Sequence, residues 1–174
     1  MTNYRQGMKI RLFLIVAIVA TLCQCSVVYA QTISYLHKPF SSGGCYVTYS
    51  VSKQDTSYYI IVTVKSDRMF FFSNSTMKIR TFKDEVITLK GSAIGNSSES
   101  VDFLVGQTIV PATEINSSAQ FVATPEQLKK LKHGIAKVRL SMRPTDHERV
   151  FKKDKIGMDL YQLYLEAQKK DEEF

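Results

Sequence analysis

The chain has 174 residues, with 23 Lys and Arg against 16 Asp and Glu, three His, three Cys and no Trp. Arg5, Lys9 and Arg11 precede an apolar run, so from Gln31 onward 20 bases (23 less those three) face the same 16 acids, and the net charge falls from +7 to +4. That modest excess argues against nucleic-acid binding, which rests on clustered bases neutralising phosphates; Cys23 and Cys25 lie ahead of Gln31, so no second cysteine is left to form an intramolecular disulfide with Cys45.

Residues 1–30 read as an export signal. Leu12 to Ala20 is unbroken apolar sequence, continuing less purely to Cys25. Val28-Tyr29-Ala30 puts small or aliphatic residues at the third and first positions before a cut between Ala30 and Gln31. A basic start, an apolar core and such a cleavage site make a secretory signal peptide. Met8-Lys9-Ile10-Arg11 offers a second possible start. A retained membrane helix ranks lower, because spanning takes about 20 apolar residues and Gln24 interrupts the run. Lipidation of Cys25 ranks below soluble export, because Gln24 stands where a lipobox carries a small residue. The expectation is a periplasmic or secreted protein with residues 31–174 as a single β-rich domain and no transmembrane segment. That length buries about two-thirds of its unfolded surface without disulfides.

From Gln31 to about Ala123 the pattern is β. Val47, Tyr49 and Val51 alternate with Thr48, Ser50 and Ser52. Tyr58, Ile60, Val62 and Val64 alternate with Tyr59, Ile61 and Thr63; both sets are largely apolar, which predicts a central strand covered on both sides. Met69 to Phe72 is a short apolar run. Met77 to Phe82 and Val86 to Leu89 pair across Lys83-Asp84-Glu85, and Val101, Phe103 and Val105 continue the period of two. Turn chemistry predicts breaks at Ser41 to Gly44, Lys53 to Ser57, Gly95 to Ser100 and Pro111 to Ser118. Short strands at this spacing predict an antiparallel β-sandwich or open barrel.

Helical signals follow. Thr124 can cap, Pro125 suits the first helical position and Gln127 completes a capping box; Gly134 then ends a connector helix over about 125–133. Ala136, Val138, Leu140 and Met142 share one face of the next strand, with Lys137, Arg139 and Ser141 on the other, and Pro144 stops it. Asp154 caps a C-terminal helix over about 154–171, whose stripe of Ile156, Leu160, Leu163, Tyr164 and Ala167 predicts docking on the sheet. Thr145 to Glu148 is a rival capping box, but Val150 and Phe151 read as a short extended segment. There is no internal repeat.

Val28-Tyr29-Ala30 followed by Gln31 resembles the signal ends of exported proteins of the Bacteroidetes. Thr124 to Leu131, then Gly134 with Lys137, Val138 and Arg139, then Phe151 to Gly157, resembles the C-terminal part of small exported proteins from those bacteria. The likeness covers about the last third of the chain. It implies export and a fold, and no activity.

Candidate chemistry is sparse. Cys45 follows Gly43-Gly44 and precedes a strand. A nucleophilic thiol needs a nearby base, and His37, His133 and His147 are the candidates; a buried structural thiol is the competing and preferred reading. The histidines show no metal spacing. Asp84-Glu85 and Glu99 with Asp102 are the acid pairs available for hydrolysis, and they read as solvated loop residues. No glycine-rich phosphate loop or nucleophile elbow is present.

Binding residues are easier to nominate. Tyr46, Tyr49, Tyr58 and Tyr59 on two neighbouring runs could stack on sugar rings, although tyrosine also packs well within sheets. Lys137, Arg139 and Arg143 form a basic ladder suited to an acidic glycan or protein, or to guarding a sheet edge. The lysines at 129, 130 and 132 and at 152, 153 and 155 read as wet surface. Asn74, Asn96 and Asn116 begin Asn-x-Ser/Thr triplets, which matter only in a glycosylating pathway. The expectation is a noncatalytic exported domain without cofactor or metal, binding a glycan or another envelope protein; the alternative is a small extracytoplasmic hydrolase using Cys45 or an acid pair.

Overall fold

The computed structural model describes residues 31–36, 45–66, 68 and 70–172. The expected signal segment through Ala30, His37 and the turn expected at Ser41 to Gly44 lie outside the described residues. Eight strands run β1 (Gln31–Leu36), β2 (Cys45–Gln54), β3 (Ser57–Ser66), β4 (Phe71–Thr81), β5 (Val86–Val105), β6 (Thr108–Ala123), β7 (Ile135–Arg143) and β8 (His147–Val150). They form one antiparallel sheet in the order β1-β2-β3-β6-β5-β4-β7-β8, curled into a half-barrel. Of the two expected β architectures this is the open barrel.

The alternating pattern decides which face turns inward. Val47, Tyr49 and Val51 on β2 stand opposite Val64, Val62 and Ile60 on β3, and all six are buried. Ala119 and Phe121 on β6, Ile87 and Leu89 on β5, Met77 and Ile79 on β4, and Val138, Leu140 and Met142 on β7 extend the same surface. The other face of β3, with Tyr59, Ile61 and Thr63, is only half-buried. The expectation of a strand covered fully on both sides is corrected accordingly. Gly91 is opposite Phe121, and a Cβ there would lie 2.6 Å from the Phe121 ring. Glycine is what lets that ring cross β5.

Two expected turns are also corrected. Gly95 to Ser100 and Pro111 to Ser118 lie within β5 and β6, which form one long hairpin closed at Gly106-Gln107. Sheet hydrogen bonds come from the backbone, so serines and asparagines pair here as readily as valines. A register shift between Ala93 and Gly95 absorbs the irregularity. At the base of the hairpin the Phe72 N–H donates to Ser117 Oγ at 2.9 Å, and the Ser117 hydroxyl donates to Asn96 Oδ1. These bonds join the start of β4 to both long strands.

Two helices close the concave side. Helix α1 (Pro125–Lys130) continues as a 3₁₀ turn over Leu131–His133, so the expected helix is present but tightens in its last turn. Thr124 and Gln127 form the capping box in both directions. Gly134 has φ +72° and ends the turn. Leu128 and Leu131 close over Ile60, Ile79, Ile87 and Leu89. Helix α2 (Gly157–Glu172) packs chiefly against β2 and the 3₁₀ turn. Asp154 stands before it. Its carboxylate accepts N–H groups from Gly157 and Met158 at 2.8 Å and from Ile135 at 2.9 Å, tying the helix start to β7. Ile156, Leu160 and Tyr164 are fully buried, while Leu163 and Ala167 are half-buried at the margin. No described helix is long and apolar enough to cross a membrane.

Candidate functional site

Curling the sheet brings its two ends together. Cys45 opens β2 and points inward with Val47 and Tyr49, and it is 2% exposed. His147 opens β8 opposite the buried Leu140 and is half-buried. Its Nδ1 lies 3.4 Å from Cys45 Sγ and its Nε2 lies 3.9 Å away. The two residues are 102 positions apart, on strands second and eighth in sheet order. Ser66 faces Cys45 across β2 and β3 and is also buried; its Oγ accepts the Arg68 N–H at 3.1 Å. Arg149 follows on β8 opposite Val138. A thiol and an imidazole at this separation can share one proton, as thiol with neutral ring or as thiolate with imidazolium. Of the candidate histidines among the described residues, His147 is the one brought to Cys45. His133 instead lies 3.0 Å from Glu85 Oε2.

The other nominated residues disperse. Tyr49 and Tyr58 are buried on the inner face, whereas Tyr46 is exposed and Tyr59 half-buried on the outer one. Tyr58 packs edge-on against Tyr164 with Lys53 Nζ 5.6 Å from its ring centre. The four tyrosines therefore form no common platform, because residues an odd number apart on a strand face opposite ways. Lys137 and Arg139 do lie on the outer face of β7, but β8 and its approach supply acids. Lys137 Nζ is 2.8 Å from Glu148, and Arg139 holds Asp146 Oδ2 through both Nε and Nη2 at 2.8 Å. Arg143 is exposed at the end of the row.

The carboxylates share no cleft. Asp84 sits at φ +59° in the β4–β5 turn, 3.7 Å from Arg80. Glu85 bonds His133 and lies 3.7 Å from Lys130. The His133 hydrogen bond, together with Lys130, outweighs the opposing desolvation and holds the Glu85 carboxyl below its usual range. Glu99 and Asp102 project from the exposed part of the hairpin. Among the described residues no group of three or more metal-ligating side chains assembles.

No protein-family model, curated protein or solved structure matches this chain. The hairpin itself escaped sequence reading. Its signal was the two-residue Gly106-Gln107 loop between Val101-Phe103-Val105 and Ile109-Val110, a spacing that fits a tight hairpin.

Proposed function

We propose that this chain is an exported, noncatalytic β-rich module that binds or braces another component of the cell envelope, either a glycan or a second protein. The observation that carries the reading is α2 seated on the concave side of the half-barrel. A curled sheet offers a small molecule its concave face, and here Ile156, Leu160 and Tyr164 occupy it with no exposed surface of their own. Recognition then falls to the outer face, the edges and the long hairpin. The basic start, apolar core and Val28-Tyr29-Ala30 ending support export. The test places a photo-crosslinking residue singly at Tyr46, Ile109, Val122 or Val150, all exposed, in the full chain expressed in its host. Adducts with an envelope component, carried by a chain beginning at Gln31 and unchanged by Cys45→Ala, support the reading. A cytosolic chain, or no adduct at any position, contradicts it.

The Cys45–His147 contact favours a second reading, a small thiol hydrolase. The thiol proton would pass to His147 and the thiolate would attack an ester carbonyl. The C–O bond would break with the alcohol leaving on the proton returned by His147, and water would then cleave the thioester to release the acid and restore the thiol. Ester turnover abolished by both Cys45→Ala and His147→Ala would establish it.

A further inference from the structure

Beyond the body of the sheet β5 and β6 continue as a ribbon. β5 pairs with β4 over Val86–Lys90 and β6 pairs with β3 over Ile115–Ala123. Farther out, among the described residues, the two strands pair only with each other. Every residue from Ser92 to Ser100 is exposed. That two-stranded ribbon, Glu99–Val105 against Thr108–Glu114, reaches about 23 Å at about 3.3 Å per residue. An isolated pair of strands is marginal in water, and each free edge is a template for another strand.

The two edges differ. The two-residue loop makes Val105 and Thr108 a hydrogen-bonded pair, and alternation makes Asp102 and Pro111 a non-bonded one. Pro111 therefore turns its nitrogen to the outer edge of β6, where the missing N–H interrupts the row of donors. The outer edge of β5 carries no proline. By the same alternation Asn96, Ser98, Ser100, Asp102 and Leu104 present N–H and C=O groups outward along it. Serine at the exposed positions leaves the approach sterically open.

Charge is segregated as well. No Lys or Arg occurs from Ser92 to Glu114, although the chain as a whole is basic. Glu99 stands directly opposite Glu114, and like charges in that arrangement repel. Glu114 has Lys65 3.7 Å away. Glu99 has no cation within ion-pair distance among the described residues.

We propose that the outer edge of β5, from Asn96 to Leu104, accepts an extended lysine- or arginine-bearing segment of another protein as an added strand, with a cation beside Glu99. The inference deepens the binding reading and rests on it. Main-chain hydrogen bonds supply the attachment, and the cation at Glu99 sets the register.

The test titrates the full chain, by fluorescence anisotropy, with a labelled peptide of alternating threonine and lysine and with its threonine–glutamate counterpart. The lysine peptide should bind and the glutamate peptide should not. Ser98→Pro removes an outward donor from β5 and should weaken binding by about tenfold or more. Glu99→Lys, which leaves the backbone intact, should weaken it similarly. Thr113→Pro, at an outward position on β6, should leave it unchanged. Equal binding of the two peptides, or indifference to both β5 changes, overturns the proposal. Self-association in sedimentation that Ser98→Pro abolishes also overturns it, since a second copy would then fill the edge. Adducts at Tyr46, Val122 or Val150 without lysine-peptide binding would overturn this site while leaving the wider binding reading intact.

Discussion

Tyr164 on α2 meets Tyr58 on β3 edge to face, with ring centres 5.1 Å apart and planes inclined at 72°. This contact anchors the C-terminal helix to the inner face of the sheet. Leu160, one turn earlier, is also fully buried. Leu160→Ala should cost about 2–5 kcal/mol in chemical denaturation, whereas Gln162→Ala on the exposed face should change stability by less than about 0.5 kcal/mol. Equal, near-zero effects would mean the helix is undocked.

The Tyr164 hydroxyl is buried without a hydrogen-bond partner. Burial, followed by the neighbouring Tyr58 and Tyr161, raises its pKa above the usual value. Tyr164→Phe keeps the ring contact and removes the unsatisfied group, so it should be neutral or stabilising by about 1 kcal/mol. The native form holds its proton more tightly than the unfolded form. That contribution is complete below the ordinary tyrosine pKa of about 10 and is lost as pH rises through the raised value. Alkaline unfolding should therefore be less steep in Tyr164→Phe than in the parent.

Asp154 carries the opposite sign. Burial acts to raise its pKa, but the N–H groups of Ile135, Met158, Gly157 and Ile156 together outweigh it and hold the carboxyl below the usual range. The resulting stability is complete above the unfolded aspartate pKa of about 3.9 and is lost as pH falls through the lower folded value. Asp154→Ala should cost about 0.5–2 kcal/mol at neutral pH, as a lost cap does. The difference should shrink in acid, as read by denaturation at successive pH values.

Cys45 is almost fully buried beside His147. Under the binding reading a maleimide should label it slowly in the native protein and quickly after unfolding. Fast native labelling that falls only in acid, and that His147→Ala suppresses, would favour the thiol hydrolase.

Local chemistry was the legible part of this fold. Thr124 with Gln127, Gly134, and the stripe of Ile156, Leu160 and Tyr164 announce the helices, because caps and helical periodicity act within a few residues. Strand alternation likewise identified the inner rows of β2 and β3. The long hairpin was obscured because Gly95 to Ser100 and Pro111 to Ser118 are turn-like in composition, while the pairing that makes them strands is held by backbone bonds on either side. Tyr46 and Tyr49, three apart, and the adjacent Tyr58 and Tyr59 already implied opposite faces from parity. The Cys45–His147 contact had no such local sign, since it depends on how far the whole sheet curls.

The concave face belongs to the protein's own helix, which leaves the β5–β6 ribbon as exposed surface. Native-state hydrogen exchange tests it directly, since docked and marginal segments open with different free energies. Amides near Leu160 and Tyr164 should exchange as slowly as those of β3, while Ser98 and Ser100 on the open edge should exchange fast. Exchange at Leu160 and Tyr164 as fast as at Ser98 would contradict the account, because the concave face would then stand open to a ligand.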